Sequence, residues 1–272
     1  MRAVINFYLT WKCNYTCAHC IHECGPQGNH MTLEQIDYGF RFIHWLKEQD
    51  SPVCIFGTTG GEATLHPLFW TEYMPRLKVA REAHQCREVE LHSNASQPVP
   101  EEFKKQYCKF FSNVYVGHDS CHRQFGTVKD LYLQDYSDIA YSVHLRFNDY
   151  PVGPFPHCIS IRDKGRAHES LINGRLIEIP CQGRPSFECT WNGNRASDAL
   201  NIIFTPDHIN HCGEKSHPLP SLPYDQGHIE EGQFHSYGMD FDKLWHAALD
   251  YQVKYSGKNC SQKCMVKFAR LA

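Results

Sequence analysis

No apolar run in this chain approaches the roughly 18 residues a membrane-crossing helix needs, so a membrane-spanning protein is not expected. The opening residues, MRAVINFYLTWKC, hold no signal-peptide apolar core, which points away from export and toward the cytoplasm. An excess of charge is missing too. Lys and Arg total 27 against 30 Asp and Glu, a net −3, which excludes affinity built on wrapping the phosphates of a duplex. There is no internal repeat and no low-complexity tract. Apolar residues at 42% and charged ones at 21% are enough for a sizeable core and exclude a disordered chain.

What the sequence has in excess is cysteine, 14 in 272 residues, together with 18 histidines. With no sign of export, a reducing compartment makes metal or iron–sulfur ligation the expected use of these thiols.

Apolar patterning predicts strands at 3–9, 53–57, 89–92, 114–117, 141–147 and 158–162. Helical patterns fall between several of them. Thr32 to Gln35 reads as a capping box, and Leu33, Ile36, Phe40 and Ile43 continue it as one apolar stripe. Residues 67–82 read as helical, with Pro75 kinking or restarting the segment. Further helices are expected near 101–111 and 129–139. This alternation predicts the α/β class: a partial (β/α)6 barrel over 1–170, with functional residues at the carboxyl ends of its strands. After Ala167 the alternation stops, and 173–235 is rich in Gly, Pro, Asn and His. One late helix carries the stripe Phe241, Leu244, Trp245, Ala248 and Tyr251, with Gly257 as its stop. Residues 171–272 are therefore expected to form a small loop-rich cysteine cluster domain, for which a metal site would substitute for a core.

Cys13, Cys17 and Cys20 are spaced C-x3-C-x2-C directly after the first expected strand. Three thiolates on one loop can hold three corners of a four-iron cluster and leave the fourth iron open for chemistry. The alternative is a zinc knuckle completed by Cys24 or His22, although structural zinc favours C-x2-C turns and a closed ligand set. The spacing resembles the radical S-adenosylmethionine (radical SAM) superfamily. That resemblance implies an open iron chelated by the amino and carboxylate groups of S-adenosylmethionine. One-electron cleavage of the sulfonium would then give methionine and a 5′-deoxyadenosyl radical, which abstracts hydrogen from substrate. His19 stands where the family usually has an aromatic or similar residue.

The segment GTTGGEA at 57–63 follows the second strand. Its glycines let backbone approach a ligand, and Glu62 offers a carboxylate to an ammonium group. Gly60, Gly61 and Glu62 resemble the family's GGEP motif, which receives the cofactor's amino group; Ala63 replaces the proline. Ser93 and Asn94 resemble the strand end that meets the cofactor's methionine or ribose. VYVGHD at 114–119 resembles a maturase-like strand ending in Ser-x-Asp, with Gly117 and His118 in place of the usual residues. Ordinary strand-to-loop transitions account for these two segments equally well.

Downstream, Cys189, Cys212, Cys260 and Cys264 are separated by 22, 47 and 3 residues. They could close a second four-iron site, or bind zinc, and Cys181 could replace Cys189. The arrangement resembles the twitch domain, the short form of the SPASM auxiliary-cluster extension. Asp207-His208 stands where that extension often has Asp-Gly, and Gly165-Arg166-Ala167 matches a tripeptide common just before it. Isolated Cys54, Cys86, Cys108, Cys121 and Cys158 read as small core residues, and Cys24 is left outside the site.

Two clusters resemble radical SAM dehydrogenases, in which a base removes a proton and the auxiliary cluster accepts an electron. Other relatives rearrange nucleotides, or crosslink and epimerise peptides. The first cluster cysteine is residue 13 and eight residues follow Cys264, so no fused leader-binding domain is expected and a peptide maturase would need a separate partner. The expectation is therefore a small polar or nucleotide-like substrate, served by a reductant such as flavodoxin or ferredoxin. Cations over 162–168 could hold an acidic group, or form a solvated loop. His118, Asp119 and Arg166 are the candidates for substrate contact or proton transfer. The rival class is a non-catalytic, metal-stabilised binding module with a closed first site.

Overall fold

The computed structural model describes residues 2–20, 22–146, 149–152, 155–161, 173, 176–178, 199–207, 209–210, 240–255 and 266–270. In chain order the elements are β1 (Arg2–Tyr8), α1 (Leu33–Glu48), β2 (Val53–Thr59), α2 (Met74–Ala83), β3 (Glu88–Ser93), α3 (Glu101–Gln106) and β4 (Phe111–Gly117). There follow α4 (Ser120–Arg123), α5 (Leu133–Ile139), β5 (Ala140–Arg146), β6 (Asp149–Val152), β7 (Phe155–Ile161) and β8 (Leu176–Glu178). The last are β9 (Ala199–Phe204), β10 (Ile209–Asn210), α6 (Phe241–Tyr255) and β11 (Val266–Arg270).

Six strands run parallel in the order β9-β1-β2-β3-β4-β5, with β10 added antiparallel beyond β9. From β1 to β5 each strand lies beside its predecessor, always stepping the same way. Right-handed crossovers then place the intervening helices on one face, giving a partial α/β barrel. That face carries the apolar core. Ala3, Ile5 and Phe7 of β1, Val89 and Leu91 of β3, and Val114 and Val116 of β4 pack with Ile36, Phe42 and Leu46 of α1 and Leu77 of α2. The Phe7 ring stacks on Phe40 and Phe204, each at 5.1 Å, joining β1 to α1 and β9. A fully buried ring of this kind contributes roughly 1.5–3 kcal/mol.

Alternate positions on the other face are polar: Asn6, Glu90, His92, Asn113 and Tyr115. A parallel sheet covered by apolar layers on both sides reads as near-continuous apolar strands. Polar alternation instead means that this face lines space for water or a ligand.

The first five expected strands are present within a few residues, and the sixth parallel strand is a different one. Residues 158–161 of the segment expected at 158–162 belong to β7, which pairs antiparallel with β6 and β11 in a separate four-stranded sheet, β6-β7-β11-β8. The physical reason is chain length: residues 147–154 separate β5 from β7, too few for a parallel crossover of about a dozen residues or more. The sixth place is taken by β9, parallel to β1 on its free side. Helix α6 follows it, with Leu244 and Ala248 buried in the main core and Phe241 5.3 Å from Tyr38. Both elements lie in the stretch assigned by sequence to a second domain.

Local chemistry explains the boundaries. Thr32 caps α1: its hydroxyl accepts from the Gln35 N–H at 3.2 Å, and Gln35 Oε1 accepts from the Thr32 N–H at 2.8 Å. Gln35 also donates from Nε2 to the Pro206 carbonyl at 2.8 Å, pinning the loop after β9. Thr32→Ala is expected to cost about 1 kcal/mol. Gln35→Ala should cost more because a tertiary bond goes with the cap, and urea midpoints at unchanged m-value measure both. Pro75 restarts a helix as expected. Phe69–Tyr73 forms one wide π-helical turn, and Pro75 sits in the first turn of α2, where a missing N–H costs little. Helix α3 ends at Gln106, short of the expected 111, because Phe111 already belongs to β4. Cys108, expected in the core, is exposed in the turn between them. Among the described residues no helix is long and apolar enough to cross a membrane.

Candidate functional site

The cysteine loop leaves the carboxyl end of β1 and closes on itself. Trp11 N–H donates to the Asn29 carbonyl at 2.8 Å, Cys13 N–H to Gly25 at 2.9 Å, and Gly25 N–H back to Trp11 at 3.2 Å. The turn after β2 is bonded to this loop: Gly61 N–H reaches the Thr10 carbonyl at 2.6 Å and Glu62 N–H the Lys12 carbonyl at 2.9 Å. The approach is so close that a Cβ on Gly60 or Gly61 would collide with the Thr10 or Lys12 carbonyl, and Gly60 has φ +134°. The glycines thus let two backbones meet, a use the sequence reading did not give them. From the far side Asp207 accepts from Trp11 Nε1 at 2.6 Å and from Asn29 Nδ2 at 2.9 Å. No local pattern announces that role, because the partners lie 196 and 178 residues away.

Cys13, Cys17 and Cys24 are buried together with Trp11, Tyr15 and Cys121, and Cys20 packs against them. Cys24, left outside the site by sequence, donates its N–H to Cys20 Sγ at 3.3 Å. Cys13 Sγ accepts from Tyr15 N–H at 3.4 Å and from Asn94 Nδ2 at 3.8 Å. Burial, and secondarily the charges of Glu62 and Cys20, push the Cys13 thiol up to about 12, against the Tyr15 and Asn94 hydrogen bonds. Cys17 is raised further, by burial first and then by Cys13 and Cys20. Bare, these thiols hold their protons; a cationic centre is what would draw them off together. Among the described residues the loop cysteines do not form a group with ligand atoms within 4.8 Å of one another. Three thiols on one loop are a donor set of the kind that a multi-iron cluster takes.

Glu62 is fully buried beneath the loop. Its oxygens accept from Asn94 N–H at 2.6 Å, Ser93 Oγ at 2.9 and 3.0 Å, and Thr64 N–H and Oγ1 at 3.3 and 2.7 Å. Burial raises its pKa, partly offset by these donors. Glu62 therefore ties the end of β2 to the end of β3. Tyr136, which sequence did not single out, joins this network with its hydroxyl 3.2 Å from Ser93 Oγ. Asn94 extends from Ser93 toward the thiols and also donates to Asn14 Oδ1 at 3.0 Å.

His118 and Asp119 follow β4 and are buried. Asp119 caps α4 through the Cys121 and His122 N–H groups, accepts from His122 Nδ1 at 2.8 Å, and lies 3.4 Å from His19 Nε2. Burial opposes its ionisation, but the His122 hydrogen bond and the His19 and His122 charges outweigh that and hold the carboxyl well below the usual range. A depressed folded pKa gives stability that is present above the ordinary value near 3.8 and lost as pH falls through the folded value. Asp119→Asn is expected to be less stable than wild type by about 1–3 kcal/mol near neutral pH, with the gap closing in strong acid. Urea melts at the two pH values measure it. His19, Asp119 and Cys121 also place one ligand atom each within 4.8 Å of one another, a group able to hold a metal ion. Cys121 is buried, as expected, but against the cysteine loop.

Arg166, Cys181, Cys189, Cys212, Cys260 and Cys264, with Cys158's side chain and the 162–168 cations, lie outside the described residues.

No family model and no curated protein matches the chain. Its fold is similar to that of BtrN in complex with AdoMet and 2-DOIA, at 13% identity over 95% of this chain and 88% of that one, TM-score 0.52. At that identity the likeness is one of fold. Native anSMEcpe with bound AdoMet and Cp18Cys peptide overlaps at 15% identity, over 53% of this chain and 42% of that one, TM-score 0.39. Streptococcus suis SuiB bound to S-adenosylmethionine overlaps at 15% identity, over 48% and 28%, TM-score 0.34. The chain spans less than half the length of either, and these overlaps are too partial to compare folds.

Proposed function

We propose that this chain is a radical SAM enzyme, with a 4Fe–4S cluster on Cys13, Cys17 and Cys20 and S-adenosylmethionine at the open iron. Its substrate is small and polar or nucleotide-like, and the outcome is oxidation or rearrangement. One observation carries the reading: a C-x3-C-x2-C loop leaves β1 and is bonded to the Gly60–Glu62 turn of β2 and to Asn94 of β3. The BtrN structure, of the same fold, holds AdoMet and 2-DOIA, a small molecule.

With both groups bound, one-electron cleavage of the sulfonium would supply a 5′-deoxyadenosyl radical able to abstract a carbon-bound hydrogen. The chain's own residues hold and shield. Trp11 and Tyr15 pack around the thiols and exclude water. Donors from Tyr15, Asn94 and Cys24 to the sulfurs of Cys13 and Cys20 stabilise negative charge there and would favour the reduced state of a bound cluster. Gly60, Gly61, Ser93 and Asn94 form the edge that would receive S-adenosylmethionine, and Glu62 keeps that edge in place. Asp119, ionised and paired with His19 and His122, holds a negative charge beside the loop and fixes both rings. Arg166 remains a candidate for substrate contact, and Cys189, Cys212, Cys260 and Cys264 for a second 4Fe–4S cluster of twitch type. A flavodoxin- or ferredoxin-like reductant would supply the electron.

The test is anaerobic reconstitution followed by reduction with S-adenosylmethionine present. Iron-dependent formation of 5′-deoxyadenosine and methionine is expected. Zinc in place of iron, with S-adenosylmethionine left intact, would sink the proposal.

A further inference from the structure

The polar face of the sheet is most elaborate at the carboxyl ends of β3, β4 and β5, away from the cysteine loop's own ligands. His92, Tyr115 and His144 are register neighbours across the three strands. Their rings form a continuous shelf, with centroids 5.0 Å apart from His92 to Tyr115 and 5.3 Å from Tyr115 to His144. Arg146, one step further along β5, lays its guanidinium 3.8 Å from the centre of the Tyr115 ring. Below the shelf Tyr115 Oη donates to Glu90 at 3.3 Å, and Asn113 Oδ1 lies 3.1 Å from His144 Nε2.

Two features separate this shelf from an ordinary solvated sheet surface. Among the described residues no carboxylate pairs with Arg146, whose side chain is exposed and held by Tyr115 alone. An exposed arginine is normally free to sweep through solvent; the Tyr115 ring biases this one modestly toward a position with its donors at the edge of a ring. His92 is also kept uncharged: burial first, and then the Arg146 charge, push it down to about 4. The shelf thus offers one oriented cation, flat rings and hydrogen-bonding edges, beside His118, whose N–H bonds the Arg146 carbonyl at 3.0 Å.

We propose that this shelf is the substrate pocket: Arg146 receives an oxyanion of the substrate, a carboxylate or phosphoryl oxygen, while the His92–Tyr115–His144 rings take its body. That it is the substrate's oxyanion rests on the radical SAM reading; that the shelf binds an anion rests on its own geometry. The pocket lies where side chains of an α/β barrel meet their ligands, at the carboxyl ends of the strands. The sequence reading looked for this cation at 162–168; the geometry supplies one at the end of β5.

The experiment is arginine-selective labelling of the reconstituted protein with phenylglyoxal, adducts being mapped by mass spectrometry with and without pyrophosphate or succinate. Arg146 is expected to be labelled about fivefold more slowly with at least one of these anions, while exposed Arg87 is unaffected. Protection by pyrophosphate alone assigns a phosphoryl group, and protection by succinate alone a carboxylate. Unchanged labelling of Arg146, equal protection of Arg87, or no adduct at Arg146 overturns the proposal. Reductive cleavage of S-adenosylmethionine is assayed on the same wild-type sample. A protein that protects Arg146 but cleaves no cofactor leaves the anion pocket standing and removes the radical reading; the reverse result removes only the pocket.

Discussion

Replacing Cys13, Cys17 and Cys20 together by alanine is expected to remove about four irons per chain and reduce 5′-deoxyadenosine formation to background. The three thiols belong to one loop and pack among Trp11 and Tyr15. If Cys189, Cys212, Cys260 and Cys264 hold a second cluster, iron falls from about eight to about four; otherwise it falls from about four to none. Cys24→Ser is the discriminating control. Serine keeps the backbone N–H that residue 24 donates to Cys20 Sγ and nearly the same side-chain volume. A radical SAM site should retain its iron in that variant, whereas a zinc knuckle completed by Cys24 should lose its metal. Iron loss equal to that of the triple variant would contradict the three-ligand assignment.

Glu62→Ala is expected to destabilise the protein by about 3–5 kcal/mol, the largest single-residue effect anticipated for the chain. The loss is of an anchor inside the protein. It strips the acceptor from the Asn94 and Thr64 N–H groups and from the Ser93 and Thr64 hydroxyls, beneath a loop that admits no water to Glu62. An orphaned buried donor costs about 1–3 kcal/mol, borne in full by the Asn94 N–H; Ser93 keeps Tyr136 and the Thr64 donors are only part-buried, which holds the total below the simple sum. Glu62→Gln keeps the shape but turns an amide N–H toward a backbone N–H, so about 1–3 kcal/mol is expected. Denaturant midpoints give the energies. Iron content at low temperature, where the Glu62→Ala chain remains folded, should also fall, because Asn94 and the Gly60–Gly61 turn lose their common anchor. Wild-type stability in Glu62→Ala would mean that the donors find other partners and that the carboxylate's role lies elsewhere.

Much of the fold was legible in short stretches. The Thr32–Gln35 cap, the restart at Pro75 and the strands through β5 are written in residues at most a few positions apart. Cys13, Cys17 and Cys20 were legible for the same reason, since spacing within eight residues constrains what one loop can hold. Cys108 was misread because burial of an isolated cysteine depends on where α3 stops. The parallel strand expected at 158–162 was misread although the short link before it already argued against a crossover.

Alternation of apolar runs with helical stripes, and the spacing of three cysteines, determined by themselves an α/β sheet with a thiol loop after its first strand. Both are local properties, set by periodicity and loop reach. The tertiary structure alone decided that β9 completes the sheet beside β1, that Asp207 holds Trp11, and that Glu62 bonds Ser93 and Asn94 rather than standing open. It also decided that Arg146 lies over Tyr115. Each is a pairing between residues remote in the chain, and its free energy exists only once burial has removed water as the competing partner.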